Sequence, residues 1–249
     1  MRRRTAGCVL SLSEMAEIAY LSPYHFSRTF RRVTGIPPGE FMNALRLERA
    51  KHLLLTTDLS VGEVCHEVGY NSQGTFTSRF KQLVGLSPGR MRQLPEELTL
   101  AFESMEEGRL SITPPYIGGG GVAGRVTAPG LQRALIFVGL FVGAVPQGYP
   151  VSGIVLTSPG EFRIFDVPDG HYHLMAAATP IFDGPESLLL PGSSLRVGRA
   201  ERVVTVRRGT ADGYASIALR PLRNTDPPVL VSLPSILIKL VGSSASPTY

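Results

Sequence analysis

Residues Ser22–Pro38 read SPYHFSRTFRRVTGIPP, and residues Ser72–Pro88 read SQGTFTSRFKQLVGLSP. Phe26, Phe30, Val33, Gly35 and Pro38 return as Phe76, Phe80, Leu83, Gly85 and Pro88, each 50 positions later. The stretch upstream repeats as well. Leu10–Ala16, LSLSEMA, corresponds to Leu59–Cys65, LSVGEVC, at an offset of 49. Each copy carries Ser-x-x-Glu, the capping box that satisfies free N–H groups at a helix start. A short turn then leads into a second helix. In the first copy that helix has Ser22 as a natural N-cap and Pro23 as its first residue. Gly35 and Gly85 stop the second helices, because glycine takes the left-handed conformation without a Cβ penalty. The pattern of helix, tight turn, helix and glycine stop, written twice, predicts two helix-turn-helix units.

Between the units, Pro38–Thr57 reads as one helix. Its stripe of Phe41, Ala44, Leu47, Ala50 and Leu54 is spaced by three or four and is expected to be buried. A rod of that length, about 27–30 Å, can hold two reading helices about one DNA turn apart on one face of a duplex. A helical wheel places Phe26, Phe30 and Val33 in the core of the first unit and Phe76, Phe80 and Leu83 in that of the second. The opposite face of the first reading helix carries Tyr24, Arg28 and Arg31, with Ser27 and Arg32 beside them and no acidic residue. Arg28 can offer a bidentate fork to guanine, Ser27 a hydroxyl, and Tyr24 a ring to a thymine methyl or sugar. Arg31 and Arg32 suit phosphates. The second reading helix presents Gly74, Thr77, Ser78 and Lys81, with Arg79 on the flank, where it can reach a phosphate or pack. Ser22, Ser72 and Lys81 complete the expected phosphate contacts. The first unit is therefore expected to read bases and the second to grip backbone.

LSLSEMAEIAYLSPYHFSRTFRRVTGIPPGEFMNALRLERAKHLLLTTDLSVGEVCHEVGYNSQGTFTSRFKQLVGLSPGRMR resembles the AraC/XylS-type DNA-binding domain of bacterial transcription regulators over about residues 10–93. The phrases VGYNSQGTFTSRFKQLVGLSP and LRLERAKHLLLTTDLSV carry most of the likeness. The resemblance implies seven helices, two of them entering successive major grooves. It puts Tyr24, Ser27 and Arg28 on base-reading positions of the first unit and Gln73, Gly74, Thr77 and Ser78 on those of the second. Three departures stand out. Many members have Arg where this chain has Ser78. The family has a full helix ahead of the first unit, where only nine residues precede Leu10; either the start is misplaced or Arg2–Arg4 form a basic arm. Most members also carry their sensor domain before the DNA-binding domain, whereas here the extra domain follows it.

The chain has 249 residues and a formal net charge of +5. Residues 1–98 hold 13 Lys/Arg and 9 Asp/Glu, while residues 99–249 hold 12 and 11, so a polyanionic partner belongs to the first part. Two cysteines, Cys8 and Cys65, make neither a disulfide framework nor a zinc site, and Cys65 reads as a small core residue. Met1–Arg4 leads into no long apolar segment, so no secretory signal is expected. The apolar run Val229–Val241 is interrupted by Pro234 and Lys239 and is too short to span a bilayer. The expected setting is the cytoplasm, with no membrane partner.

The grammar changes after Leu94. Residues 95–117, acidic and ending in Pro114-Pro115 and glycines, read as a linker with a helix near 96–107. Residues 118–223 read as short strands: Val122–Thr127, Ala134–Val142, Val151–Thr157, Glu161–Val167, His171–Ala177, Arg202–Arg207 and Ala215–Leu219. About seven strands predict an all-β sandwich behind the all-α domain. SPGEFRIFDVPDGHYHLMAAA resembles prealbumin-like or carboxypeptidase-regulatory-like sandwich domains, which implies a fold and no activity. His171 and His173 share a strand face near Asp166 and Asp169, but a third metal ligand is missing and surface histidines are the plainer reading. Thr179–Gly198 reads as a long loop, either a binding loop or a plain connector. The apolar tail, residues 224–249, is expected to dock on the sandwich or the helical part, or to self-associate.

The function expected from these residues is sequence-specific binding of double-stranded promoter DNA in transcription regulation, without enzymatic activity, cofactor or metal. The sandwich would sense a small-molecule effector, bind a partner such as RNA polymerase, or form a homodimer. The alternative is a DNA-binding module fused to a catalytic or a carbohydrate- or peptide-binding β-domain.

Overall fold

The computed structural model describes residues 10–106, 121–180, 186–190 and 192–244. They fall into two compact units. One holds the chain up to Arg92 together with Arg223–Val231, and the other holds Gln93–Leu222 and the chain from Ser232 onward.

The helical unit contains α1 (Leu12–Ile18), α2 (Pro23–Thr34), α3 (Pro38–Thr56), α4 (Val61–Glu67), α5 (Gln73–Val84) and the start of α6 (Pro88–Glu106). The second triplet copies the first: 7, 12 and 19 residues in each. Both capping boxes form. The Ser11 and Ser60 hydroxyls accept the Glu14 and Glu63 N–H groups, and each glutamate accepts the N–H of its serine at 2.7 Å. Gly35 and Gly85 are left-handed, with φ of 84° and 100°. The six helices described here fall one short of the seven implied by the resemblance, whose extra helix would involve Met1–Val9, outside the described residues. α6 runs through Pro95, so no helix boundary falls at Leu94. Proline removes one ladder hydrogen bond there, and the Thr99 hydroxyl donates to the Pro95 carbonyl at 3.0 Å.

Phe41, Ala44, Leu47, Ala50 and Leu54 of α3 are buried, as their spacing predicts. The two reading-helix cores are unequal. Phe76, Phe80, Leu83 and Val84 of α5 are buried, whereas α2 has no buried residue. Val33, expected in the core, is 59% exposed. In chain order α4–α5 stands between α3 and α6, whereas α1–α2 is followed by α3 and preceded by no described helix.

Among the described residues, the second unit contains ten strands in two sheets. β1 (Val122–Thr127) lies between β4 (Gly160–Ile164) and β9 (Tyr214–Ala218), antiparallel to the first and parallel to the second. The larger sheet runs β10 (Arg220–Pro221), β6 (Arg196–Arg199), β5 (Gly170–Pro180), β2 (Ala134–Phe141), β3 (Ser152–Leu156). β7 (Val204–Arg207) pairs with the start of β5, and β8 (Thr210–Ala211) with β7. The seven expected strands are present with bounds shifted by a few residues; β6, β8 and β10 escaped the sequence reading because each has only two to four residues. Val122, Val126, Phe162, Ile164 and Ile217 from one sheet share a core with Ile136, Val138, Leu140, Leu174 and Ala176 from the other. On the far face of the large sheet, Leu135, Phe137, Phe141 and Met175 are buried too. A strand buried on both faces reads as a continuous apolar run, which explains ALIFVGLF in β2. The stretch read as a long loop holds α7 (Glu186–Leu189), a 3-10 turn at Gly192–Ser194, and β6. α7 packs on β5 and on α8 (Leu233–Ser244), whose second residue is Pro234. Proline at a helix start gives up an N–H that has no partner there anyway, so Pro234 opens this helix. The Tyr149 hydroxyl donates to Ser235 Oγ at 3.2 Å, and Lys239 Nζ lies 3.6 Å from the Tyr149 ring centroid.

Candidate nucleic-acid interface

Local rules fix where the two reading helices start and stop. Ser22 Oγ accepts the His25 N–H at 3.3 Å, and Ser72 Oγ accepts the Thr75 N–H at 3.4 Å. Each helix ends where the cap glycine N–H donates to a carbonyl four residues back, Arg31 for Gly35 and Lys81 for Gly85. Aromatic contacts then tie both helices to α3. Phe26 stacks at 5.5 Å on Phe30, which meets Phe41 of α3 edge-on at 5.4 Å. In the second unit Phe80 lies 5.6 Å from Phe76, and Tyr70 lies 5.4 Å from Phe76. The Tyr70 hydroxyl donates to Asn43 Oδ1 of α3 at 2.6 Å. Burial pushes the Tyr70 phenol up, against the opposing pull of the Arg46 and Arg79 guanidinium groups. The phenol therefore stays protonated at neutral pH and remains a donor. Such edge contacts fix ring geometry beyond plain apolar burial, so α3, about 28 Å long at 19 residues, braces both units.

On α2, Tyr24, Arg28, Arg31 and Arg32 are exposed and Ser27 is half-buried; Ser22 is exposed at the cap. On α5, Gln73, Gly74, Ser78, Arg79 and Lys81 are exposed, Thr77 is half-buried, and Ser72 is exposed at the cap. Neither helix contains an acidic residue. Arg28, Arg31, Arg32 and Lys81 have no carboxylate partner among the described ion pairs. Exposed forks and ammonium groups without internal partners are what base edges and phosphates require.

Arg46 of α3 was not singled out from the sequence. Its Nε is buried with no hydrogen-bond partner among the described residues, and it lies close enough to Tyr70, along with Arg79, to act on the phenol. The only sequence signal was its position in the RLERAK phrase of a helix read for its apolar stripe. Arg92 of α6 also proves structural, its guanidinium donating to the Leu59 carbonyl at the head of the second unit.

The histidine pair of the β-rich unit gathers no site. His171 Nδ1 lies 3.0 Å from Thr205 Oγ1, and Asp169 Oδ1 accepts the Gly209 N–H at 3.0 Å. The Gly209 and Arg208 N–H groups hold the Asp169 carboxyl below its usual range. The Tyr172 hydroxyl donates to the Pro168 carbonyl at 3.0 Å. These contacts pin the turn before β5. Among the described residues no three His, Cys, Asp or Glu side chains are grouped to hold a metal ion. Cys65 is buried, and burial raises its thiol above the ordinary range, the opposite of an activated nucleophile. Cys8 lies outside the described residues. No described helix is long and apolar enough to cross a membrane.

Residues 15–94 match the sequence model of a family described as "Helix-turn-helix domain". Over 85 residues the chain is 35% identical to the "Bifunctional transcriptional activator/DNA repair enzyme AdaA" of Bacillus subtilis, covering 34% of this chain and 40% of that protein. Over 83 residues it is 35% identical to the "HTH-type transcriptional activator AarP" of Providencia stuartii, covering 33% and 62%. The chain thus spans less than two thirds of the length of either relative. Among solved structures, the DNA-binding domain of AdpA, a global transcriptional factor in complex with a target DNA, matches at 33% identity with a TM-score of 0.33, covering 34% of this chain and 77% of that one.

Proposed function

We propose that this chain, whose residues 15–94 are a helix-turn-helix domain of the AraC type, is a sequence-specific regulator of transcription that binds double-stranded DNA. The observation that carries the reading is the pair of equal, acid-free reading helices joined to one rigid rod, each with its cationic and hydroxyl side chains facing solvent. Tyr24, Ser27 and Arg28 would meet base edges in one major groove; Gln73, Gly74, Thr77 and Ser78 would meet those of the next. Ser22, Arg31, Arg32, Ser72, Arg79 and Lys81 would hold phosphates.

The β-rich unit, read as a prealbumin-like sandwich, takes the part of effector sensing, partner binding or dimerisation. Its two sheets around one apolar core support that fold. One relative carries a DNA repair activity by name; here Cys65 is buried. A regulator of this kind also belongs with soluble partners such as RNA polymerase, in a reducing compartment.

Selection of bound duplexes from a random pool, followed by a salt series on the winner, tests the reading. Several phosphate contacts predict a log–log slope steeper than about −4 and a clear preference over bulk DNA. Equal affinity for all duplexes would make the domain a non-specific binder and end the regulator reading.

A further inference from the structure

We propose that Arg223–Val231 is a strap that belongs to the DNA-binding unit and is held on α3 by the ammonium group of Lys51. These nine residues begin 131 positions beyond Arg92, yet they cluster with the helices and not with the strands that precede them. Val229, Leu230 and Val231 are buried. Lys51 is 7% exposed, and its Nζ donates to the Val229 carbonyl at 3.0 Å and to Glu48 Oε2 at 3.1 Å. A buried ammonium is tolerated only when paired and hydrogen-bonded. A main-chain carbonyl outside any helix or sheet likewise needs a donor once buried. Each group answers the other's requirement, across 178 residues of sequence.

The strap is prepared for this position. The Arg223 N–H donates to Asp226 Oδ2 at 2.7 Å and the Asp226 N–H returns to the Arg223 carbonyl at 2.9 Å, closing a turn at its start. Pro227 and Pro228 then fix φ and lower the entropy lost on docking. α3 is the rod joined to both reading helices, so a segment bound along it bears on their separation. Glu48 is only half-buried, so one side of the ion pair faces solvent while the strap carbonyl covers the other. We infer that DNA affinity follows strap docking: docked, the rod is braced and both units engage; released, three apolar residues and a lysine face water and the rod loses its brace.

The DNA half of this inference rests on the regulator reading; the docking half does not. The test uses the full chain carrying Val231→Cys, with site-resolved mass spectrometry of thiol labelling. Slow labelling is expected, and Lys51→Ala should speed it about tenfold, the weight of one hydrogen bond to a charged donor. Lys51→Arg should restore slow labelling. Leu230→Asp, which buries a carboxylate if docked, should speed it as well and serves if Lys51→Ala fails to fold. Unchanged labelling in both variants would overturn the strap. With the selected duplex, Lys51→Ala should weaken binding about three- to tenfold at an unchanged salt slope. A slope shallower by about one would make Lys51 a plain phosphate contact and overturn the bracing. If wild-type chain prefers no duplex, the regulator reading fails, and the labelling rates still decide docking.

Discussion

At the scale of single residues, the two copies of the repeat act as controls for each other. Gly69, in the turn of the second unit, has φ of 81°, and its counterpart in the first is Tyr20, with φ of 56°. A non-glycine side chain in this region costs about 1–2 kcal/mol. Tyr20 is 95% exposed, so its ring returns little by packing. Tyr20→Gly is expected to stabilise the helical unit by about 1 kcal/mol after the extra unfolded-state freedom of glycine is counted, read as a higher urea midpoint with unchanged slope. The reading residues divide by chemistry. Arg28→Ala should cost about 1–3 kcal/mol on the best site and relax preference at one base position, while Lys81→Ala should weaken all duplexes alike and lower the salt slope by about one. Competition binding against single-base variants of the selected site checks both; a larger change of preference from Thr77 or Ser78 than from Arg28 would reverse the division of labour. Residue types and spacing single out these side chains, and Arg28 and Lys81 are exposed in the structure. Arg46 was not visible, because a lone arginine on an amphipathic helix looks like any solvated charge until its Nε is seen to be buried.

At the scale of elements, capping chemistry and packing separate. Helix starts and stops followed from Ser-x-x-Glu, Ser-Pro and Gly, since a cap is satisfied within four residues of chain. Burial did not follow. Phe30 and Phe80 hold equivalent places in the sequence, but Phe80 is buried and Phe30 only half so. Phe80→Ala should cost about 3–5 kcal/mol, the range for a buried aromatic, and Phe30→Ala about half of that, by urea denaturation followed at 222 nm. Acid stability belongs to this scale too. The Ser60 hydroxyl and N–H hold the Glu63 carboxyl below its usual value. The unfolded chain then takes up a proton before the folded one does. The Glu63 contribution is therefore whole above the ordinary carboxylate range and is lost as pH falls through the lowered folded value. Glu63→Gln should flatten that part of the stability–pH curve below about pH 5; an unchanged acid limb would show that the box does not bind the charged form better.

At the scale of the whole molecule, two cores make two folding problems. Gly124 of β1 sits where an added Cβ would stand 2.3 Å from the Ala215 carbonyl oxygen and 2.6 Å from Phe162 Cζ. Neither the paired strand nor the packed ring can yield that much without opening the shared core. Gly124→Val should unfold the β-rich unit at a temperature where wild type is folded. The helical signal at 222 nm and the duplex affinity of the helical unit should change far less. Complete loss of both together would show the two units to be one cooperative block.

The sequence by itself determined the helical repeat, its caps, its rod and its outward cations, because these depend on contacts within a turn or two and on a period written twice. It determined most strands for the same reason, from alternation and turn residues. Three matters were left to the tertiary structure. The partners of each strand are one, and the parallel pairing of β1 with β9 joins residues 91 positions apart. The weak burial of α2 depends on which helices stand around it. The place of Val229 against Lys51 depends on a carbonyl and an ammonium that carry no signal of each other along the chain. Local hydrogen bonds and periodicity can be read in order of residues; burial is a property of whatever else arrives at the same point in space.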